Sequence, residues 1–197
     1  MVSEVRRPLV AGNWKMNGTT ASLGEVDALA ASLAGVTPAC DIMLCPPATL
    51  IAPIKAAVER HGVPIVIAGQ DCHADPGGAH TGDVAAEQLA DAGAGAVIIG
   101  HSERRHDHGE SDEMVRAKAV AAQRAGLISI ICVGETLEER EAGQAGDVVS
   151  RQLIGSLPDT CDGANTVVAY EPVWAIGTGL TPSPQDVGEM HDLMRRR

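Results

Sequence analysis

The feature of this sequence that most limits its fold is a regular alternation of short apolar runs with longer segments of helical periodicity. The apolar runs are about four to seven residues long, and each of the six is followed by a helix-like segment. Continuous apolar runs of this length are typical of strands buried on both faces, and strands that alternate with helices form parallel sheets. The pattern therefore predicts an α/β fold built from six βα units.

Turn and cap residues place the boundaries of these units. Gly62 is expected to end the second helix, and Ser111 and Ser183 are expected to begin later ones. With no linker or low-complexity tract, we expect a single domain over residues 1–197. The predicted strands are 8–13, 41–45, 65–68, 96–99, 127–133 and 166–170. The predicted helices are 21–33, 48–60, 85–91, 111–124, one or two pieces within 137–154, and 184–197, with a long loop at 71–82.

Charge and cysteine content exclude several classes of protein. Fifteen Lys and Arg against 26 Asp and Glu give a net charge of −11, which argues against general binding to nucleic acids or anionic membranes. No apolar run approaches the roughly 20 residues of a membrane helix. The five cysteines include no C-x-x-C pair, and residues 1–7 lack an apolar signal region, so we expect a reduced, cytoplasmic protein.

Polar residues suited to catalysis follow the ends of three predicted strands. Asn13 and Lys15 follow the first strand, His101 the fourth and Glu171 the sixth. Active sites of parallel α/β sheets form at the carboxyl ends of the strands, so these side chains are candidates for one site. The alternatives are a turn-forming asparagine, a solvated lysine, a structural histidine and a salt-bridged glutamate.

The segment after the sixth strand, residues 169–179, suggests a base under a mobile loop. Pro172 ends the strand because it lacks an N–H group. Trp174 and Ile176 are large apolar residues in what must be a loop, and Gly177 and Gly179 give that loop backbone freedom. An ordinary strand end remains the alternative on these residues alone.

Four short motifs occur in a fixed order: GNWKMN at 12–17, GHSERR at 100–105, CVGET at 132–136 and YEPVWAIGTG at 170–179. They resemble the motifs of the triosephosphate isomerase family, and the similarity runs from about residue 8 to the last residue. The resemblance implies a TIM (β/α)8-type barrel, of which this chain carries six units. Barrels of this type have eight strands and typically about 250 residues.

The resemblance also implies a reaction, the interconversion of dihydroxyacetone phosphate and D-glyceraldehyde 3-phosphate through an enediolate, a step of glycolysis and gluconeogenesis. Glu171 would be the base, and we expect burial to raise its pKa. His101 would be a neutral electrophile, because N–H groups of a short helix beginning at Ser102 disfavour the imidazolium. Lys15 would supply positive charge, and Asn13 would orient the substrate.

Further residues that match the family's motifs would assist these four. Glu103 would pair with Lys15, although a surface glutamate among arginines is an alternative, and Cys132 would pack beside the site. Gly177 would donate its N–H to the substrate phosphate once the loop closes. The resemblance implies a lid made of Pro172, Val173, Trp174, Ala175, Ile176, Gly177 and Thr178.

The family likeness extends to partners. The loop around Thr81 resembles one that inserts beside Lys15 of a neighbouring subunit, which implies a homodimer; a long surface loop is the alternative. No cofactor is implied, since the glycines at 93 and 95 precede a strand whereas a dinucleotide fingerprint follows one. No metal is expected, because no pair of candidate ligands has zinc-site spacing. The candidates are His73, His80, His101, His106, His108, Cys40 and Cys45.

The family's last two strands, with a Ser-bearing glycine-rich turn and a Gly-Gly pair that hold phosphate, have no counterpart here. We therefore expect open edges at the first and sixth strands and instability unless something completes the barrel. Each lost charge-assisted phosphate contact costs roughly 1.5–3 kcal/mol. Two hypotheses follow: an isomerase whose isolated chain is weakened, or an impaired or inactive fragment that acts as a scaffold or dimer partner.

Overall fold

The computed structural model describes residues 7–197, so the first six residues of the N-terminal segment lie outside the described part. It contains all six predicted strands, and their bounds agree with the prediction to within two residues. The strands are β1 Leu9–Asn13, β2 Asp41–Cys45, β3 Ile65–Gly69, β4 Ala96–Ile99, β5 Ile128–Val133 and β6 Thr166–Tyr170. The helices are α1 Leu23–Leu33, α2 Ile51–His61, α3 Ala86–Asp91, α4 Ser102–Asp107, α5 Asp112–Arg124, α6 Leu137–Glu141, α7 Ala145–Ser156 and α8 Pro184–Arg195.

The sheet confirms the predicted barrel-type arrangement. All strand pairs are parallel, and the strands follow one another in sequence order from β1 to β6. In a doubly wound sheet the strand order reverses at one point, and helices cover both faces. Here the order does not reverse, so the sheet curves as part of a barrel and its helices lie on the outer side. Within residues 7–197, β1 and β6 each pair on one side only, and Val10 on β1 is 58% exposed.

Two apolar layers fill the molecule. The outer layer lies between strands and helices and is formed mainly by aliphatic side chains such as Ile51, Ile67 and Ile131. The inner layer faces the concave side of the sheet and uses alternate strand residues, among them Met43 and Ile98. The chain contains no Phe, which is why branched aliphatic residues and alanine supply this packing.

The predicted helix boundaries are confirmed by their local geometry. The Ser111 side chain accepts a hydrogen bond from the Met114 N–H, and the Ser183 side chain accepts one from the Asp186 N–H. Gly62 ends α2 in the left-handed conformation, with φ of 63°. Across residues 7–197, none of the helices is both long enough and apolar enough to cross a membrane.

Candidate active site

The predicted catalytic residues lie together at the carboxyl edge of the sheet. Asn13 is the last residue of β1, His101 lies two residues beyond β4, and Glu171 directly follows β6. A cavity of about 1030 Å³ opens here, and Asn13, Lys15, His101 and Glu103 line one side of it. The fold therefore brings into one place groups separated by more than 150 residues in the sequence.

His101 and Glu171 form the centre of the site. Nε2 of His101 lies 2.7 Å from Oε1 of Glu171, and both side chains are largely buried. The other carboxylate oxygen of Glu171 accepts a hydrogen bond from the Ser102 N–H at 2.9 Å. Nδ1 of His101 accepts from the Glu103 N–H at 3.3 Å, at the start of α4. In the neutral ring we therefore assign the proton to Nε2, the nitrogen that faces Glu171.

The pKa of Glu171 differs from the expectation drawn from the sequence. Burial does raise it, as expected, but interactions with His101 and Ser102 lower it by more. These are the hydrogen bond with His101, the positive charge of that ring when protonated, and hydrogen bonds from the backbone and the side chain of Ser102. The resulting pKa is below its ordinary value of 4.5, so the expectation of a raised pKa was wrong for this arrangement. A sequence cannot show which groups will neutralise a buried charge.

Lys15 points its charge into the same cavity. Its Nζ lies 2.8 Å from Oε1 of Glu103, which is the pairing that the family resemblance implies. Its backbone has φ of 51°, an uncommon value for a residue with a side chain. The Lys15 N–H donates to Oδ1 of Asn13 at 2.9 Å, so the amide NH2 of Asn13 remains the free end of that side chain.

Close backbone contact fixes the position of Glu171. An added Cβ at Gly134 would lie 1.7 Å from the carbonyl oxygen of Glu171, so only glycine fits there. The Glu171 N–H donates to the Val133 carbonyl at 2.8 Å, which continues the pairing of β5 with β6. These contacts fix the backbone of Glu171 against the end of β5.

Arg105 joins the ends of β4 and β5, a role that the sequence did not reveal. Its guanidinium donates to the Gly100 carbonyl at 2.8 Å and to the Cys132 carbonyl at 3.2 Å. It also forms an ion pair with Asp112 at 2.6 Å. The Cys132 side chain is buried in the inner layer, and burial raises the pKa of its thiol well above the usual range. Cys132 therefore has the surroundings of a packing residue and not those of a nucleophile.

The first half of the predicted lid is anchored to Glu135, a fully buried residue between β5 and α6. Oε1 of Glu135 accepts from Trp174 Nε1 at 2.9 Å and from the Tyr170 hydroxyl at 3.0 Å. The Val173 N–H donates to the backbone carbonyl of Glu135 at 3.1 Å. Arg140 lies 3.2 Å from the same carboxylate oxygen and stacks over the Trp174 ring at 4.7 Å. Glu135 lies within the CVGET motif, so the motif marked the residue without showing its contacts.

The second half of the lid is exposed. Gly177 and Gly179 have positive φ values of 69° and 79°, and the tip from Gly177 to Leu180 is exposed. The Thr178 hydroxyl donates to the Trp174 carbonyl at 2.7 Å, which ties the tip back to the anchored half. The loop thus has one fixed end and one end with glycine freedom.

The long loop at 71–82 brings Asp75 close to two of the candidate metal ligands named from the sequence, His73 and His80. One ligand atom each from His73, Asp75 and His80 lies within 4.8 Å of the others. The two imidazole rings, however, stack with centroids 3.9 Å apart and a tilt of 31°. Because nitrogen lone pairs lie in the ring plane, stacked rings do not aim them at one ion. Thr81 lies exposed on the same loop. The expectation that no metal binds stays a prediction.

Comparisons with known proteins agree with this geometry. A family model described as "Triosephosphate isomerase" matches residues 8–197. Two proteins named triosephosphate isomerase, from Afipia carboxidovorans and Rhodopseudomonas palustris, are 62% and 57% identical to this chain. Each alignment covers 96% of this chain and 75% of the relative. The crystal structure of triosephosphate isomerase from Bartonella henselae has a TM-score of 0.88 and 48% identity, covering 97% of this chain and 75% of that one. With its glutamate, histidine and lysine gathered at the strand ends, the chain belongs to the triosephosphate isomerase family.

Proposed function

We propose that this protein interconverts dihydroxyacetone phosphate and D-glyceraldehyde 3-phosphate by moving a proton between adjacent carbons. The observation that supports this most strongly is the contact of 2.7 Å between Nε2 of His101 and the Glu171 carboxylate. It places a base and a hydrogen-bond donor side by side, which is what abstraction of a proton next to a carbonyl requires.

The lowered pKa of Glu171 keeps it ionised at neutral pH, so it is ready to accept a proton. In the structure, its two oxygens are occupied by His101 and by the Ser102 N–H. A substrate carbonyl oxygen that takes over the His101 Nε2–H releases one carboxylate oxygen toward the adjacent carbon. The carboxylate then removes the carbon-bound proton and returns it to the neighbouring carbon. His101 Nε2–H gives its proton to the former carbonyl oxygen and takes up the proton of the neighbouring hydroxyl, so that the oxygens exchange their roles as well.

Negative charge develops on the substrate oxygens as the proton leaves. His101 Nε2–H donates to that oxygen, and the Lys15 ammonium adds positive charge from the same cavity. The amide NH2 of Asn13 is free to orient a substrate oxygen, because the Asn13 carbonyl oxygen is already engaged by the Lys15 N–H. Closure of the lid would bring the Gly177 N–H to the phosphate and exclude water from the enediolate.

The assay is an isomerase measurement coupled to an enzyme that oxidises or reduces one of the two triose phosphates. We expect turnover by the wild-type protein and a loss of about 10²–10⁴-fold in Glu171→Gln, which keeps the side chain's shape and removes its basicity. Glu189→Gln on α8 is the matched control and should retain full activity. A wild-type protein with no activity would favour the scaffold hypothesis instead, and an active Glu171→Gln variant would refute the assigned base.

We also propose that the protein is a cytoplasmic homodimer made of single-domain chains. Met16, next to Lys15, is 96% exposed, and the loop that carries Thr81 borders the same cavity. A second copy that inserts this loop would cover the apolar Met16 side chain. Light scattering should give twice the chain mass, and Met16→Asp should shift the equilibrium toward monomer. A monomer at micromolar concentration would contradict the dimer.

A further inference from the structure

Gln70 connects three strand ends through one side chain. It follows β3 directly, and its side-chain Nε2 donates to the Lys15 carbonyl at 2.8 Å and to the Cys45 carbonyl at 2.8 Å. Cys45 is the last residue of β2, and Lys15 lies two residues beyond β1. A primary amide carries two N–H donors, so both carbonyls are satisfied by one nitrogen.

The Lys15 backbone needs such support. Among residues 7–197, it is the only non-glycine residue with a positive φ, at 51°. A left-handed conformation costs a residue with a side chain roughly 1–3 kcal/mol and persists only when its surroundings hold it. Here both polar backbone groups of the residue are held, since Asn13 accepts from its N–H and Gln70 donates to its carbonyl.

We propose that Gln70 is a positioning residue that holds Lys15 in this backbone conformation and so directs its ammonium group into the active-site cavity. In the observed conformation the Lys15 Nζ lies 2.8 Å from Glu103, on the cavity wall beside His101. If the Lys15 carbonyl lost its donor, the backbone could relax to a negative φ, and the side chain would leave this wall. The inference rests on the proposed isomerase function, because it concerns the placement of the catalytic lysine.

The chemistry of the contact specifies the residue type. Glutamate has the same length, but its carboxylate offers no donor and would face two carbonyl oxygens. Methionine has a similar shape and no N–H group. Both substitutions therefore remove the hydrogen bonds while keeping most of the packing.

The test is a double-substitution cycle with Lys15. We expect Gln70→Met to lower kcat/KM about tenfold or more. In a Lys15→Ala background, the same substitution should change kcat/KM by less than about twofold, because the group that it positions is absent. A residue that only supports the fold would produce the same factor in both backgrounds, and that result would overturn the inference.

Two further variants keep the test decisive. Gln88→Met removes one side-chain contact to the backbone, at Ala85, away from the site, and it should leave kcat/KM unchanged. If Gln70→Met does not fold, Gln70→Glu takes its place, and its kcat/KM is compared with that of wild type at each pH. The loss of kcat/KM should be larger at pH 8 than at pH 5, because a protonated carboxyl regains one donor at the lower pH. A pH-independent ratio would count against the inference.

The inference and the proposed function fail in different ways. An active wild-type protein whose kcat/KM is unaffected by Gln70→Met would remove the positioning role and leave the isomerase intact. A wild-type protein with no isomerase activity would overturn both.

Discussion

Replacing Glu135 with alanine should detach the first half of the lid from the rest of the protein. Three donors, from Trp174, Tyr170 and Arg140, converge on one oxygen of this buried carboxylate. Removing it leaves the largely buried Trp174 N–H without that partner. Glu135→Gln retains an acceptor oxygen in the same place, so the two substitutions separate loss of the acceptor from loss of the charge.

The expected cost follows from the exposure of each donor. The Trp174 N–H is buried, and leaving it unpaired costs about 1–3 kcal/mol. The Tyr170 hydroxyl is half-buried and can turn toward water, so its loss adds about 0.5–1 kcal/mol. Arg140 keeps its ion pair with Asp186 and adds less than about 1 kcal/mol. We expect Glu135→Ala to lower the free energy of unfolding by about 2–4 kcal/mol and Glu135→Gln by about 1 kcal/mol.

Urea unfolding followed by circular dichroism measures this difference. In a Trp14→Phe background, where Trp174 is the remaining tryptophan, quenching of its fluorescence by acrylamide reports detachment of the lid in the folded state. Glu138→Ala, on the exposed face of α6, is the control and should change the free energy of unfolding by less than about 0.5 kcal/mol. Equal losses in Glu135→Ala and Glu135→Gln, or no change in quenching, would refute the anchoring role.

Three further predictions concern the support of the site. Because the pKa of Glu171 is lowered in the folded state, its ionised form stabilises the protein above pH 4.5, and this contribution disappears as pH falls through the folded-state pKa. The difference in unfolding free energy between wild type and Glu171→Gln should therefore shrink between pH 7 and pH 3. Gly134→Ala should lower the free energy of unfolding, measured in urea, by at least about 1–3 kcal/mol, because the new Cβ meets a carbonyl oxygen. The control Gly188→Ala in α8 has open space around it and should be neutral or stabilising. Lys118→Met leaves the buried Glu110 carboxylate paired with Arg104 alone, so it should lower the free energy of unfolding in urea by about 1–3 kcal/mol. A midpoint of urea unfolding equal to that of wild type would contradict this.

Local patterns were sufficient to predict the six βα units and the parallel sheet, whereas the barrel-type arrangement was implied by the family resemblance. Runs such as Ala96–Ile99 are apolar at every position because both faces of the strand are covered, and that burial is visible in the sequence itself. Helix starts at Ser111 and Ser183 were predictable because a capping side chain acts within three residues of its own position. The division of the segment after β5 into α6 and α7 was left open, although Gly143 lies between the two helices and ends α6 with a positive φ of 73°.

The sequence was sufficient to name candidate residues for the site, but not to predict their contacts or the direction of a pKa shift. The motifs indicated Asn13, Lys15, His101 and Glu171. In the structure the first three line one cavity, and Glu171 contacts His101. The direction of the Glu171 pKa was missed because it depends on contacts with residues about 70 positions away. The role of Gln70 was missed for the same reason, since its partners lie 25 and 55 residues away and a glutamine after a strand has no distinctive pattern.

The central claim is that the carboxylate at position 171 removes a carbon-bound proton from a small phosphorylated sugar. The most direct measurement is incorporation of deuterium from D2O into dihydroxyacetone phosphate, followed by proton NMR at the carbon next to the carbonyl. We predict that the wild-type protein incorporates deuterium there and that Glu171→Gln slows incorporation by about 10²–10⁴-fold. Incorporation at the wild-type rate in Glu171→Gln would contradict the claim.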